Sequence, residues 1–420
     1  MKVLSAWGTE WRHSRLYRAY VFLLLTGFLK QCFDYSALVD TAEYLQAAHH
    51  LTQGHWSSCG DLLPCGTHWL EATRRTPGYP LLLLAVAFIP WLLIGLQCLL
   101  AAWIPLWSIR LLELFSATSR SRRFLMLAFL LYPLQFFYSN LLMPEIWVQG
   151  LMLLGILQLA LRSYRNIPWI LSALVLLKPV FVIFLPLAPI LFFKTQQQRW
   201  SQLLPIAVVL LVSWINFRNT AWFHFTSMAT ENAFEYNMRA VMNRVNTPKE
   251  TDALYQSYGE ALKPLNDAGR AQFMRRVSSE KIRKHLPVYV MLHLRGSLAC
   301  LLDPGRYDLV AFWGIKDEGG FMNIKNTERQ LPPWPQLVYM GILLLWKIVL
   351  LLLAARWWLQ SKNWFLRLLL LTPIILLALS AGPVGSARYL FPAAPLLFVM
   401  AAAGLNKTQS PNKHETDSFA

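Results

Sequence analysis

Apolar stretches long enough to cross a lipid bilayer recur along the chain and alternate with short polar segments. A crossing helix needs about 20 mostly apolar residues, so stretches close to that length are typical of membrane-spanning helices. The pattern therefore predicts an all-α polytopic membrane protein. The apolar runs are Leu16–Phe33, Trp91–Leu112, Phe124–Met143, Ile146–Leu161, Leu203–Phe217, Leu337–Ala355, Trp364–Ser380 and Tyr389–Leu405.

Basic residues cluster at the ends of these runs, and this bias predicts which ends face the cytoplasm. With the basic clusters on one side, the chain makes about ten crossings if Gly78–Ile89 is only a re-entrant or juxtamembrane helix. Both termini are then cytoplasmic. The first run follows Arg12, Arg15 and Arg18 and has no small-residue cleavage site behind it, so we interpret it as a retained anchor.

This topology divides the chain into four parts. Residues 1–217 form a transmembrane module whose first periplasmic loop is 34–77, and residues 218–335 form a mostly helical periplasmic segment. Residues 336–405 form the last transmembrane helices, and residues 406–420 form a disordered cytoplasmic tail. Within the periplasmic segment, helical patterns with proline turns between them cover Thr230–Val245, Glu250–Gly259 and Ala268–Leu302.

The composition changes this picture little. The net charge of +17 suggests nucleic acid, but the basic residues lie at the ends of apolar runs, so we exclude a nucleic-acid partner. Cys59 and Cys65 share one polar loop, where a disulfide and two free thiols both stay open. His49 and His50 are adjacent and face different sides of a helix, so the sequence predicts no metal site.

A set of ionisable residues falls at the outer membrane boundary in this topology. Charges at that depth are costly unless they pair with one another or serve a binding site. Their gathering on one side indicates an anionic ligand held at the outer leaflet. The residues are Asp40, Glu43, Arg75, Glu145, Lys178, Arg218 and Arg388.

Asp40 opens the segment DTAEYLQAAHHLTQG, whose helical pattern puts Tyr44 and Ala48 on one apolar face. We expect an amphipathic helix lying along the membrane interface. Two roles stay open for Asp40, a general base and an N-cap for backbone amides. Asp34 is the competing catalytic carboxylate, and Glu43 is a candidate capping-box partner of Asp40.

The cations of the set are candidates for binding phosphate. Arg75 lies in RRTPGYP, where proline and glycine make a rigid turn at headgroup height, and ordinary lipid anchoring is the alternative. Lys178 precedes Pro179, which breaks the helix and places the lysine at its outer end, with snorkelling as the alternative. Arg388 begins the last crossing, and Arg218 lies in NFRN.

Glu145 follows Pro144 at the top of a hairpin between two apolar runs. A carboxylate so near hydrocarbon has no role in solubility. A salt bridge to Lys178 or Arg388 and a direct role in a site both stay open for it.

The order of these segments resembles the GT-C superfamily of integral-membrane glycosyltransferases, in particular the branch that contains protein O-mannosyltransferases and the aminoarabinose lipid A transferase. The resemblance implies transfer of a sugar, with inversion, from a polyprenyl-phosphate donor to a lipid, glycan or protein acceptor. The reaction then takes place on the periplasmic face of a bacterial inner membrane. The matching segments are Asp40 and Tyr44 with Ala48 and Gly54, then RTPGYP, YPLQFFYSNLLMPE, LLKPVFVIFLP and ARYLFPAAPLL.

The resemblance also implies roles for residues of this chain. The first extracytoplasmic loop supplies a catalytic aspartate, which corresponds to Asp40 because of the tyrosine four residues later, and Glu145 matches a second acidic position. The phosphate leaving group needs cations, for which Arg75, Lys178 and Arg388 are the candidates and Arg218 the weakest one. No cofactor is implied, and a divalent cation stays open.

One departure and two rival functions complete the hypotheses. Thr41 replaces a second acidic residue found in many relatives, which keeps Asp34 and Glu43 open as the base. The polar segment is a candidate acceptor platform through Tyr236, Asn237 and Arg239. An O-antigen ligase or polymerase using a diphosphate-linked donor is one rival, and a lipid-linked sugar flippase or transporter is the other. A ligase would use a basic periplasmic loop, for which the candidates are His285, His293, Arg295 and Arg306.

Overall fold

A computed structural model describes residues 14–33, 39–52, 73–115, 117–194, 199–305 and 334–406. All regular secondary structure in these ranges is helical, which confirms the all-α class. The first part of the chain forms α1 (Arg15–Phe33), α2 (Val39–Thr52), α3 (Gly78–Ala85), α4 (Pro90–Glu113), α5 (Ser119–Leu130), α6 (Pro133–Ser139), α7 (Glu145–Ala160), α8 (Ile167–Leu177) and α9 (Leu187–Lys194).

The remaining described residues form a group of polar helices and then the last apolar helices. The elements are α10 (Leu204–Thr220), α11 (Met228–Glu231), a π-helical segment (Asn232–Met238), α12 (Arg239–Val245), α13 (Pro248–Leu262), α14 (Asp267–Lys284), α15 (Leu286–Leu302), α16 (Trp334–Gln360), α17 (Trp364–Ser380), α18 (Ala387–Leu390) and α19 (Ala394–Ala403).

Three stretches of the described residues are long and apolar enough to cross a membrane: Pro90–Glu113, Trp200–Thr220 and Leu337–Gln360. A fourth is added if the bent pair α14 and α15 counts as one span. Several shorter apolar helices, among them α7, α8 and α17, accompany them. These helices are compatible with a multi-pass membrane protein, and the number of about ten crossings stays a prediction.

The apolar helices form one core around α4. The hydroxyls of Tyr17 and Tyr20 on α1 donate hydrogen bonds of 2.9 Å to the carbonyls of Ala102 and Ala101 on α4. The small side chains at these two positions let α1 approach α4 closely enough for the bonds to form. On another side, α19 is almost wholly buried and packs between α16, α4 and α5.

Prolines end or break several of the predicted helices. Lys178 has an extended backbone between α8 and a 3-10 segment that begins at Pro179, so the predicted break is confirmed. The predicted run Phe124–Met143 is wrong as one continuous helix, because Pro133 starts the separate helix α6. Proline lacks a backbone donor and pushes the preceding residue out of the helical region.

The polar helices have a small core of their own. Helix α14 buries Ala271, Met274 and Val277 against Phe234 and Met238 of the π-helical segment. The predicted helical pattern Ala268–Leu302 is interrupted at His285, where α14 and α15 meet at 97°. Pro287 in the first turn of α15 makes this the natural place for a new helix to begin.

Candidate active site

Asp40 is held by two arginines that come from distant parts of the chain. Its Oδ1 accepts a hydrogen bond of 2.6 Å from Arg75 Nη2, and its Oδ2 accepts one from Arg388 Nη1. Helix α2 begins at Val39, so Asp40 lies inside its first turn. Of the two roles left open for Asp40, the N-cap role does not fit this position, because the helix already includes Val39 before it.

Glu145, the first residue of α7, is fully buried next to Asp40's partner Arg388. Its Oε1 accepts hydrogen bonds from Arg388 Nε at 2.6 Å and from Lys178 Nζ at 2.9 Å. Both salt bridges considered for Glu145 are therefore present. Arg388 joins the two carboxylates into one network, while Glu145 Oε2 has no hydrogen-bond partner among the described residues.

A second carboxylate fixes the other face of Arg75. Arg75 Nε donates to Glu43 Oε2 at 2.6 Å, and the guanidinium carbon lies 5.1 Å from the centre of the Tyr44 ring. Arg74 lies between Glu43, at 3.6 Å, and Glu231 of α11, at 3.3 Å. Glu43 is thus an ion-pair partner of two arginines and not the capping-box partner of Asp40.

Glycines allow the backbone approaches that bring these side chains together. A Cβ at Gly78 would lie 2.6 Å from the backbone carbonyl of Leu176, so only glycine lets α3 meet the end of α8 beside Lys178. Near Arg388, Gly385 has a φ of +62° and lies so close to Gly296 that a Cβ would be 2.6 Å from its carbonyl oxygen. L-residues with side chains rarely adopt that conformation.

His224 stabilises the loop that carries Arg74 and Arg75 through hydrogen bonds. His224 Nδ1 lies 2.7 Å from the carbonyl of Trp222, which only accepts, so Nδ1 carries the proton. His224 Nε2 then accepts from the Thr73 hydroxyl at 2.7 Å, and Thr226 Oγ1 donates to the Arg74 carbonyl at 2.8 Å. Burial lowers the pKa of His224 below its usual value, which favours this neutral form.

These groups form the wall of a cavity of about 400 Å³. Its charged lining consists of one carboxylate, Asp40, and four cations. The cations are Arg74, Arg75, Lys178 and Arg388. Asn232 and Tyr236, one helical turn apart on the π-helical segment, also line the cavity. The four cationic side chains that face the cavity make it suited to an anion.

Burial and the neighbouring arginines set the charge states of Asp40 and Tyr44. Burial raises the pKa of Asp40, but Arg388 and Arg75 lower it by more, so the pKa of the carboxyl lies well below its ordinary value. Burial also raises the pKa of Tyr44 to about 12. Asp40 is therefore ionised, and Tyr44 neutral, across the physiological pH range.

The structure brings together five of the predicted catalytic and phosphate-binding residues, together with Glu43, and leaves Arg218 outside. Asp40, Arg75, Glu145, Lys178 and Arg388 form one network. Arg218 does not join it: the side chain is exposed at the end of α10, 5.9 Å from the ring of its own-helix neighbour Trp214. Asp34, Cys59 and Cys65 lie outside the described residues.

Sequence reasoning missed part of the site and misplaced another part. Of the proposed acceptor contacts, Tyr236 lines the cavity, whereas Arg239 instead binds Asp252 at 2.8 Å. His224 and Glu231 are not among the residues predicted from the sequence. The histidine lies two residues before a threonine and serine pair, which is only a weak local signal. The roles of His224 and Glu231 follow from contacts with residues about 150 positions away, which no local pattern reveals.

The site's carboxylates pair with basic side chains of the protein. Asp40 and Glu145 each bind two basic side chains. Among the described residues, no three His, Cys, Asp or Glu side chains are grouped as a metal site. The divalent cation left open by the sequence gains no support from this geometry.

Comparisons of the chain with protein-family models, with curated proteins and with solved structures find no match. The resemblance to membrane glycosyltransferases thus stays a prediction from the sequence.

Proposed function

We propose that this protein is an integral-membrane glycosyltransferase. It moves a sugar from a polyprenyl-phosphate-linked donor to a lipid, glycan or protein acceptor on the outer side of the membrane. The observation that carries the proposal is the 400 Å³ cavity, in which one ionised carboxylate, Asp40, lies among four cations. A base next to an anion-binding group is the combination that glycosyl transfer from a phosphate leaving group requires.

An apolar groove beside the charged cavity supports a lipid-linked donor. The groove has a volume of about 350 Å³ and is formed by α7, α8, α9, α17 and the 3-10 segment, with almost no polar lining. On the 3-10 segment, Val180 lines the charged cavity and Phe181 lines the groove. On α17, Leu377 lines the charged cavity, and Pro373, one turn away, lines the groove. An isoprenoid chain in the groove would place its phosphate at Lys178 and Arg388.

The proposed reaction is a single displacement. The acceptor hydroxyl oxygen attacks the anomeric carbon, a new C–O bond forms, and the bond from that carbon to the phosphate oxygen breaks. The hydroxyl proton passes to Asp40, and the polyprenyl phosphate departs with the bonding electron pair. Arg75, Lys178 and Arg388 stabilise its growing negative charge.

Ion pairing makes Asp40 a weak base, because Arg388 and Arg75 hold its pKa low. A donor phosphate competes for the same two guanidinium groups. Binding of the donor therefore removes part of the charge that stabilises the carboxylate, and the pKa of Asp40 rises when a base is needed. The network couples donor binding to activation of the base.

The substitution Asp40→Asn tests the proposal. We expect it to abolish transfer while retaining binding of undecaprenyl phosphate to the purified protein in detergent. Transfer is measured by mass spectrometry of envelope glycans, lipids and proteins from cells with and without the gene. Asp252→Asn, which removes an exposed carboxylate outside the cavity, is the matched control and should leave the products unchanged.

Three results would contradict the proposal. Products that persist in the Asp40→Asn strain would remove the carboxylate from the chemistry. An unchanged profile between cells with and without the gene would argue against a transferase altogether. Lipid translocation by both the wild type and Asp40→Asn, with no sugar transferred by the wild type, would favour the flippase.

A further inference from the structure

An open cleft separate from the active-site cavity lies on the polar helices. It has a volume of about 980 Å³ and is lined chiefly by one face of α14, with Trp222 at its edge. Four cations of α14 point into it, and Glu280 is the acidic residue among the lining side chains. The cations are Arg275, Arg276, Arg283 and Lys284. We refer to this feature as the basic cleft.

The cations of the basic cleft are exposed and have no ion-pair partner within 4.0 Å among the described residues. They fall at positions i, i+1, i+8 and i+9 of the helix and so spread over one half of its circumference, the half that lines the cleft. The opposite face, with Ala271 and Met274, is packed against the π-helical segment, which fixes the direction of the basic face. The cleft is therefore a preformed surface with an excess of positive charge.

An apolar stripe begins where the basic face ends. Arg283 and Lys284 directly precede His285, at which the chain bends by 97° into α15. The stripe consists of Leu286, Val290, Leu294 and Leu298, which recur every four residues and are 45–58% exposed. The other side of α15 is packed, since Gly296 lies against the backbone of Gly382. No described residue covers the stripe enough to bury it.

We infer that the basic cleft and the apolar stripe together bind an anionic membrane lipid. The headgroup phosphate lies among the cations of α14, where guanidinium groups offer paired donors to its oxygens. The acyl chains run along the stripe of α15. A soluble polyanion would bind the cations but leave the apolar stripe uncovered. A neutral lipid would cover the stripe but leave the cations without a partner. Only an anionic amphiphile matches both surfaces at one bend.

The bound lipid lies next to the loop that holds the active-site arginines. Trp222 of the basic cleft stacks on His224 with ring centres 4.0 Å apart, and His224 binds Thr73, two residues before Arg75. The lipid-binding claim does not depend on the proposed transferase activity. A protein that fails to transfer sugar would still bind the lipid.

The test uses the purified full chain in detergent, stripped of lipid. Phosphatidylglycerol and phosphatidylcholine with identical acyl chains are added, and retained lipid is measured by native mass spectrometry. We expect stronger retention of phosphatidylglycerol, weakening as salt is added. Arg275→Glu with Arg283→Glu should lower that retention by about tenfold or more. Arg244→Glu, on an exposed arginine outside the basic cleft, is the matched control and should change little.

Further experiments distinguish the contribution of the acyl chains to binding from that of the phosphate group. Val290→Asn with Leu294→Asn should weaken phosphatidylglycerol retention, as the charge reversal does, because the acyl chains lose their surface. Inorganic phosphate at millimolar concentration should displace little lipid. Equal retention of the two lipids, equal effects of Arg244→Glu and the cleft variant, or full displacement by phosphate would each overturn the inference. If the charge-reversed variant does not fold, the milder pair Arg275→Gln and Arg283→Gln should still lower retention severalfold.

Discussion

At the scale of single residues, Glu145 is the position on which the site's stability depends most. Its carboxylate is fully buried and accepts from Lys178 and Arg388 through one oxygen. Charges taken out of water cost several kcal/mol each, and that cost is offset only while both signs remain paired. The carboxylate therefore neutralises two cations that would otherwise repel each other.

Glu145→Gln should lower the free energy of unfolding by about 3 kcal/mol, because it leaves Lys178 and Arg388 partly uncompensated beside one carboxylate. Thermal unfolding in detergent micelles measures the effect. Glu113→Gln, which breaks two partly exposed ion pairs, is the control and should cost about 1 kcal/mol or less. Adding Lys178→Met to Glu145→Gln should recover part of the loss. A shift no larger than that of Glu113→Gln would show that the buried pairs of Glu145 contribute no more to stability than partly exposed ion pairs do.

The membership of this network could be predicted from the sequence, but its pairing could not. Costly charges near hydrocarbon identified Asp40, Glu145, Lys178 and Arg388 one by one. The partners are up to 348 positions apart, so no local spacing reveals which oxygen meets which nitrogen. The same limit explains why Arg218 was predicted in the site but lies outside the network. A position near a helix end does not say which way the side chain faces.

At the scale of elements, prolines allowed one helix break to be predicted from the sequence but not another. The break at Lys178 followed from Pro179, whereas the break before Pro133 was hidden inside an apolar run. The π-helical segment Asn232–Met238, which supplies one wall of the cavity, has no sequence signature that could have predicted it. Such segments often occur at functional sites, because an extra residue per turn redirects side chains.

The contact between α3 and α8 gives a prediction at this scale. Gly78→Ala places a Cβ 2.6 Å from the Leu176 carbonyl, so one helix must move. We expect a loss of about 2 kcal/mol in the free energy of unfolding, with weaker undecaprenyl phosphate binding because Arg75 and Lys178 shift apart. Gly259→Ala in α13 meets nothing within 4 Å and should stabilise the protein by about 0.5–1 kcal/mol. Unfolding midpoints of the two variants that move in the same direction would contradict the packing argument.

At the scale of the whole molecule, the proposed chemistry depends on all five network residues lying at one end of the apolar helices. Helix α17 has 17 residues and is thus about 25 Å long, with Leu377 at the cavity near its C-terminus. The turn before Trp364 therefore lies far from the cavity, at a distance close to the thickness of a hydrocarbon layer. From the distribution of basic residues we expect the start of α5, with Arg120, at the same far end.

Cysteine labelling in intact cells tests this arrangement. In a chain whose native cysteines are replaced by serine, Tyr236→Cys on the cavity wall should react with an impermeant maleimide added outside. Arg120→Cys and Lys362→Cys, both at exposed positions, should react only after the membrane is permeabilised. The physical reason is that each basic end stays on the cytoplasmic side, while a lipid-linked sugar must reach the cavity from the other side. External labelling of position 120 or 362, or none of position 236, would place the cavity on the wrong side for the proposed reaction.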